Sequence, residues 1–282
     1  YYTSEMLDEI FSEIWQSLNK KNKSLFPIES IIKDSAIFKA SPFHKLTQEQ
    51  INAKEEILTK IKESILLNED GQLIIVEGEA GSGKTVLMST LLYELGKYNL
   101  DLDENLDIHL LVNHNEHVSI YSQIASKLGI ANKKNKIVQK PTSFINNNSS
   151  DEKVDVVIVD EAHLLLTQGK QSYQGKNHLD DLLARAKVVV IVFDIKQVLT
   201  TEQIWEVDKL NEYFDKAKSN SNHVTLRNQM RINSDISTVN WIRNLVDYQV
   251  INSIPKDKLG YDIKIFDTPD ELEKAIKIKA TH

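Results

Sequence analysis

Cysteine is absent from all 282 residues, so no disulfide framework, thiolate metal site or cysteine nucleophile is available to this chain. That absence fits a reducing interior, and the expected location is cytoplasmic. Long apolar runs are missing too. The longest, "VVVIVF" from Val188 to Phe193, falls far short of the roughly 20 residues a bilayer-spanning helix requires. No leader-peptide pattern opens the sequence, and no membrane association is expected. Arginine is scarce, limited to Arg185, Arg227, Arg231 and Arg243, and the formal net charge is -7. An acidic balance disfavours a protein that coats DNA but leaves room for a local basic groove. The first residue is Tyr1 rather than methionine, which points to native termini lying outside these residues.

The organisation that is present begins with "EMLDEIFSEIWQSL" from Glu5 to Leu18, which puts Leu7, Phe11, Ile14 and Leu18 on one helical face. This reads as an accessory helix packed on the main body, with docking of a protein partner as the alternative. A charged linker ending at Pro27 follows. Thr47 with Gln50 three residues on then forms a capping box ahead of an apolar stripe of Ile51, Leu58, Ile61 and Ile65.

Beyond Gly71, β-branched runs alternate with helical patterns, the signature of a parallel sheet covered by helices on both faces. Strands are predicted at 73–77, 108–112, 154–159, 187–193 and 223–226. Helices are predicted at 84–95, 117–128, 177–186 and 201–218. The segment 132–153, with "KKNK" and "NNNSS", reads as an irregular surface excursion. A helix at 234–248, a strand at 262–266 and a helix start at Thr268 and Pro269 repeat the alternation once more, as if a domain were cut partway through.

The stretch "GEAGSGKT", Gly78 to Thr85, leaves an apolar strand and enters an amphipathic helix, the context in which G-x-x-x-x-G-K-[ST] cradles phosphate. A cradle needs backbone N–H groups turned inward, in conformations that glycine adopts cheaply, and three of the nine glycines are Gly78, Gly81 and Gly83. Glu79, Ala80 and Ser82 complete the loop, and the helix that follows adds its dipole. Lys84 supplies a mobile positive charge to the β and γ phosphates, and the Thr85 hydroxyl is suited to Mg²⁺. The loop therefore binds a nucleoside triphosphate, expected to be ATP.

"VDVVIVDEAHLLL" is a second buried strand, ending in Asp160 and Glu161. A carboxylate at that strand tip can orient Mg²⁺ through its water, and its neighbour can take a proton from attacking water. The competing reading is a pair of helix-capping acids. His163 reads equally well as a structural group. A third strand, "KVVVIVFDIKQVL", carries Asp194 and Gln197 at its tip. There Gln197 either senses the γ-phosphate or belongs to a plain polar loop. Arg227 and Arg231 in "VTLRNQMRIN" suit bidentate phosphate contact, with a surface salt bridge as the alternative. His114 and His117 lack a third ligand, so no metal site is read there.

Taken in order, "LTQEQ", "GEAGSGKT", "VIVDEAH", "VFDIKQ" and "LRNQMRIN" resemble the motor core of superfamily 1 helicases, and more narrowly the Schlafen-group-3-like DNA/RNA helicase ATPases. The resemblance runs from about Leu46 to about Lys279. It implies a RecA-like P-loop NTPase: an N-terminal helical extension and linker at 1–45, an ATPase lobe at 46–220, and the start of a second, truncated lobe at 221–282. It implies that Gln50 reads the adenine edge, a role the capping box rivals. It also implies that Gln197 senses the γ-phosphate and that Arg231 contacts phosphate from the region linking the lobes.

Superfamily 2 helicases with "DEAH" usually carry a Ser-Ala-Thr motif after the next strand, where this chain has Asp-Ile-Lys-Gln. No arginine follows Arg243, so the cleft-crossing arginine of a complete motor is missing and weak hydrolysis is expected. The expected function is an ATP- and Mg²⁺-dependent motor acting on single-stranded DNA or RNA. The alternatives are an ATP switch that clamps a protein partner and, more weakly, a small-molecule kinase.

Overall fold

The structure, a computed structural model, describes residues 4–21, 40–42, 44–79, 81–102, 106–131, 136–167, 173, 175–194, 197, 205–227 and 234–280. A first helix α1 (Ser4–Lys21) precedes α2 (Gln48–Leu66). The chain then alternates through β1 (Gln72–Gly78), α3 (Lys84–Leu102), β2 (Ile108–Leu111), α4 (Asn115–Lys127), β3 (Val138–Gln139), α5 (Pro141–Asn147), β4 (Val154–Val159), α6 (His178–Arg185), β5 (Ala186–Phe193), α7 (Val207–Ser219) and β6 (His223–Leu226). Helices α8 (Ile236–Tyr248) and α9 (Pro269–Ala280) follow. The strands form one six-stranded sheet ordered β3-β2-β4-β5-β1-β6, parallel at every pairing.

Alternation along each strand explains the two-sided core, because successive side chains leave opposite faces of a sheet. Ile74, Val76, Val156, Ile158, Val188 and Val190 meet Ile57 and Ile61 of α2, Leu87, Met88 and Leu91 of α3, and Ile124 of α4. Leu73, Ile75, Val157, Val159, Val189 and Ile191 meet Phe144 of α5, Leu179 and Leu182 of α6, and Phe214 of α7. Each fully buried side chain of this size stabilises the fold by roughly 1.5–3 kcal/mol. The architecture is thus an α/β layer structure with helices on both faces of a parallel sheet.

The chain divides into two units, Tyr1–Gln229 and Met230–His282. The first unit runs past residue 220 because β6 pairs with β1, Val76 opposite Val224 and Gly78 opposite Leu226. In the second unit Asp235 caps α8; the Ser237 hydroxyl, then the Lys258 N–H (2.7 Å), with the N–H groups of Thr238 (3.2 Å) and Ser237 (2.8 Å), donate to its carboxyl and hold its pKa at about 2, below the usual range. Asp257 accepts from the Thr238 hydroxyl at 2.6 Å and the Asp235 N–H at 2.9 Å, folding the 250–261 segment onto that helix.

Four expectations change. Residues 262–266 form no strand, since a strand needs a partner ladder and none of the described residues of this unit provides one. The 132–153 segment holds β3 and α5 rather than surface coil alone, with Phe144 fully buried and Ile145 at 7% exposure. Helix α3 continues through Gly96 to Leu102; glycine suits position 96 because a Cβ there would stand 2.3 Å from Cγ2 of Ile130. On α1, Ile10 and Ile14 are exposed, so this part of its apolar face is not packed on the body.

His178 gives the first unit a pH dependence. Its ring is buried, Nδ1 accepts from the Leu166 N–H at 3.1 Å, and Nε2 lies 3.2 Å from the Thr142 hydroxyl. Burial pulls its pKa down to about 4. The unfolded imidazole titrates near ~6.5, so the unfolded state binds more protons between those values. The stability from neutral His178 is fully present above about pH 6.5 and is lost as pH falls toward 4, by roughly 3 kcal/mol at most. Thermal melts from pH 7 to 4.5 should fall in step, and His178→Gln should lower stability at pH 7 while flattening that slope. An unchanged slope in the variant would remove His178 from the explanation.

Candidate nucleotide site

Parallel strands finish at one edge, and three of them deliver the polar residues singled out above. β5 lies between β1 and β4, with Glu77 opposite Phe193 and Val159 opposite Ile191. The loop after β1, the Asp160–Glu161 pair after β4 and Asp194 after β5 are therefore neighbours. This C-terminal edge is where open α/β sheets bind ligands.

The loop is shaped as its glycines require. Gly81 (φ 88°) and Gly83 (φ 78°) occupy the left-handed region, where a side chain is strained. At Gly78 a Cβ would meet Ser82 Oγ at 2.6 Å. Lys84 opens α3 and folds back over the loop, donating from Nζ to the carbonyls of Gly78 (2.6 Å) and Glu79 (2.8 Å) and to Asp194 Oδ2 (3.2 Å). Thr85 is exposed at the start of the same helix. Ala80 lies outside the described residues.

Gln50 is 2% exposed and supports the loop from α2. Its Oε1 accepts from the Thr47 N–H at 2.9 Å, completing the capping box, while Nε2 donates to the carbonyls of Ser82 (3.3 Å) and Gly83 (3.4 Å). One residue earlier, Glu49 accepts from the Arg227 N–H at 2.8 Å, which ties the chain leaving β6 to the same helix start.

Asp160 is buried, and burial raises its carboxyl pKa above the usual range against the pull of a Tyr121 hydrogen bond. Its Oδ2 accepts from the Tyr121 hydroxyl at 2.9 Å and its Oδ1 from the Glu161 N–H at 3.0 Å. Glu161 has φ 54°, a left-handed conformation rare for residues other than glycine and concentrated at functional sites. Its Oε2 stands 4.0 Å from Nδ1 of His117, whose ring meets His114 edge-on at 5.7 Å. His163 is buried, its Nδ1 has no hydrogen-bond partner, and burial lowers its pKa while the charges of Glu161, Asp194 and Lys84 act on it. Gln197 donates its N–H to the Asp194 carbonyl at 3.1 Å, so it follows the β5 tip directly. Arg231 lies outside the described residues.

Mg²⁺ takes oxygen ligands and is bound through one or two protein groups together with phosphate and water. Among the described residues no group of three or more His, Cys, Asp or Glu could hold a metal by itself. The Thr85 hydroxyl and the Asp160 carboxylate fit the smaller requirement, since each carboxylate oxygen keeps acceptor capacity beyond the one hydrogen bond it makes. Three partnerships at this site were not foreseen from the sequence: Asp194 with Lys84, Tyr121 with Asp160, and His117 beside Glu161. Asp194 was within reach, because a carboxylate at the tip of the strand beside the loop must approach the loop lysine.

The glycine loop at a strand-to-helix junction, with the Asp160–Glu161 strand tip across β5 from it, defines a P-loop nucleotide-binding fold. The model of the family described as Schlafen group 3, DNA/RNA helicase domain, matches residues 71–282, and the chain belongs to that family. The uncharacterized protein YPL245W of Saccharomyces cerevisiae is 30% identical over 268 residues, covering 83% of this chain and 58% of the yeast protein. The chain thus spans little more than half of that relative. Among solved structures, Pif1 helicase from Candida albicans aligns with TM-score 0.42 and 15% identity, over 84% of this chain and 55% of that one. Domain III of the Thermotoga maritima replication initiation protein DnaA aligns with TM-score 0.34 and 16% identity, over 67% and 66%.

Proposed function

We propose that this chain is the ATP-binding and ATP-hydrolysing motor element of a DNA/RNA helicase or translocase. The observation that carries the reading is the convergence of Lys84, Asp194, Asp160 and Glu161 on one sheet edge, from strands in the order β4-β5-β1. Membership of a helicase-domain family supports it.

In this reading the backbone of residues 78–85 surrounds the triphosphate. Lys84 exchanges its carbonyl acceptors and Asp194 for phosphate oxygens. Thr85 and Asp160 would hold Mg²⁺, which supplies charge neutralisation at the phosphates when bound. Glu161, acceptor-only when ionised, takes a proton from the attacking water. Gln197, one short turn beyond Asp194, reports on the γ-phosphate, and Arg231 contacts phosphate. Gln50 holds the loop exit and, on releasing the carbonyls of Ser82 and Gly83, reads the adenine edge. Residues 1–45 form an extension and the ATPase lobe begins at 46. The second unit begins a second lobe, and the location is cytoplasmic. Among the described residues no helix is long and apolar enough to cross a membrane.

Steady-state ATPase assays with and without single-stranded DNA or RNA test the motor. Stimulation severalfold by one of them is expected. A rate indifferent to both would contradict the motor and fit instead a regulatory switch that clamps a protein partner.

A further inference from the structure

Tyr121 occupies an apolar position of α4 and is 2% exposed, its ring packed in the core layer that contains Leu87, Met88 and Leu91 of α3. Its hydroxyl reaches the strand edge, donating to Asp160 Oδ2 at 2.9 Å. One of the two residues assigned to magnesium, Asp160 after β4, is thus held by a buried tyrosine on a separate helix.

We propose that Tyr121 is a positioning residue for the divalent cation: its hydroxyl, with the Glu161 N–H, clamps both oxygens of Asp160 and presents that carboxylate to Mg²⁺ in one orientation. The inference rests on the reading that Thr85 and Asp160 hold Mg²⁺ beside a nucleotide. Without the hydroxyl, Oδ2 loses its donor in a buried pocket and the carboxylate has only the Glu161 N–H at 3.0 Å to fix it. Groups that orient a metal ligand from behind typically change metal affinity by about 10- to 100-fold when removed. A tyrosine buried only for packing would also place its hydroxyl on an acceptor. Its loss would then change stability and leave the metal dependence alone.

Equilibrium binding of a fluorescent ATP analogue separates these roles. The parent chain and Tyr121→Phe are titrated with Mg²⁺, binding is repeated in EDTA, and both are melted thermally. The expected result is equal affinity in EDTA and a rise of roughly 10- to 100-fold in the Mg²⁺ concentration giving half-maximal enhancement of binding. Tyr121→Met, which fills much of the same space without a hydroxyl, carries the same expectation if the Phe variant does not fold. A half-maximal Mg²⁺ concentration equal to the parent's overturns the role of Tyr121 and leaves the nucleotide site intact. A parent chain whose binding ignores Mg²⁺ overturns the cation reading and this inference together.

Discussion

Glu161→Gln is expected to leave Mg·ATP binding at the parent level while lowering turnover about 10²- to 10⁴-fold, the usual contribution of a positioned general base. The amide preserves the shape of the side chain and the left-handed backbone at φ 54°, and it leaves the N–H that fixes Asp160 in place. It removes the basic carboxylate that takes the proton. The Glu161 side chain is 34% exposed, so water reaches it, whereas Asp160 is buried. Of the two adjacent carboxylates, Glu161 is the more open to an attacking water. Single-turnover hydrolysis in the variant, measured beside its ATP affinity, checks the assignment. Turnover at the parent rate would show that another group activates water.

A larger structural effect is expected at Lys84. The ammonium lies 3.2 Å from Asp194 Oδ2, with side-chain exposures of 12% and 2%. Lys84→Met should abolish nucleotide binding, because the only ammonium described at the loop disappears. It should also destabilise the fold by roughly 3 kcal/mol, the low end for breaking a buried ion pair, since Asp194 keeps a further contact. For a unit of this size that corresponds to a melting point lower by about 6–12 °C. Adding Asp194→Asn removes the buried charge, so the double variant should regain most of the stability and none of the binding. Equal melting of parent and Lys84→Met, or nucleotide binding by the double variant, would contradict the arrangement.

How much of this was legible follows from what a single sequence encodes. The runs around Ile74, Ile158 and Val190 announced strands because a strand covered on both faces is apolar at nearly every position. The phosphate loop was legible because glycine at 78, 81 and 83 answers a local backbone demand, and the capping box at Thr47 and Gln50 is equally local. Partnerships across the sheet were not legible. Tyr121 has the periodicity of a core residue, and only the packing of α4 on the sheet brings its hydroxyl to Asp160, 39 residues away. Helix α5 was hidden because Phe144 and Ile145 are a short apolar signal inside an asparagine- and serine-rich segment. The opposite error arose at 262–266, where local composition favours an extended strand and no ladder among the described residues receives it. The end of α3 was placed at 95 rather than 102, and the close passage of Ile130, which suits glycine at 96, is a tertiary fact.

Calorimetric titration of ATP into the chain with Mg²⁺ present tests the central claim most directly, because everything assigned to Asp160, Glu161, Gln197 and Tyr121 depends on a triphosphate held by residues 78–85. The account predicts saturable binding at one site per chain, weakened when Mg²⁺ is chelated and lost in Lys84→Met. An absence of binding by the folded parent chain, or undiminished binding by Lys84→Met, would contradict it.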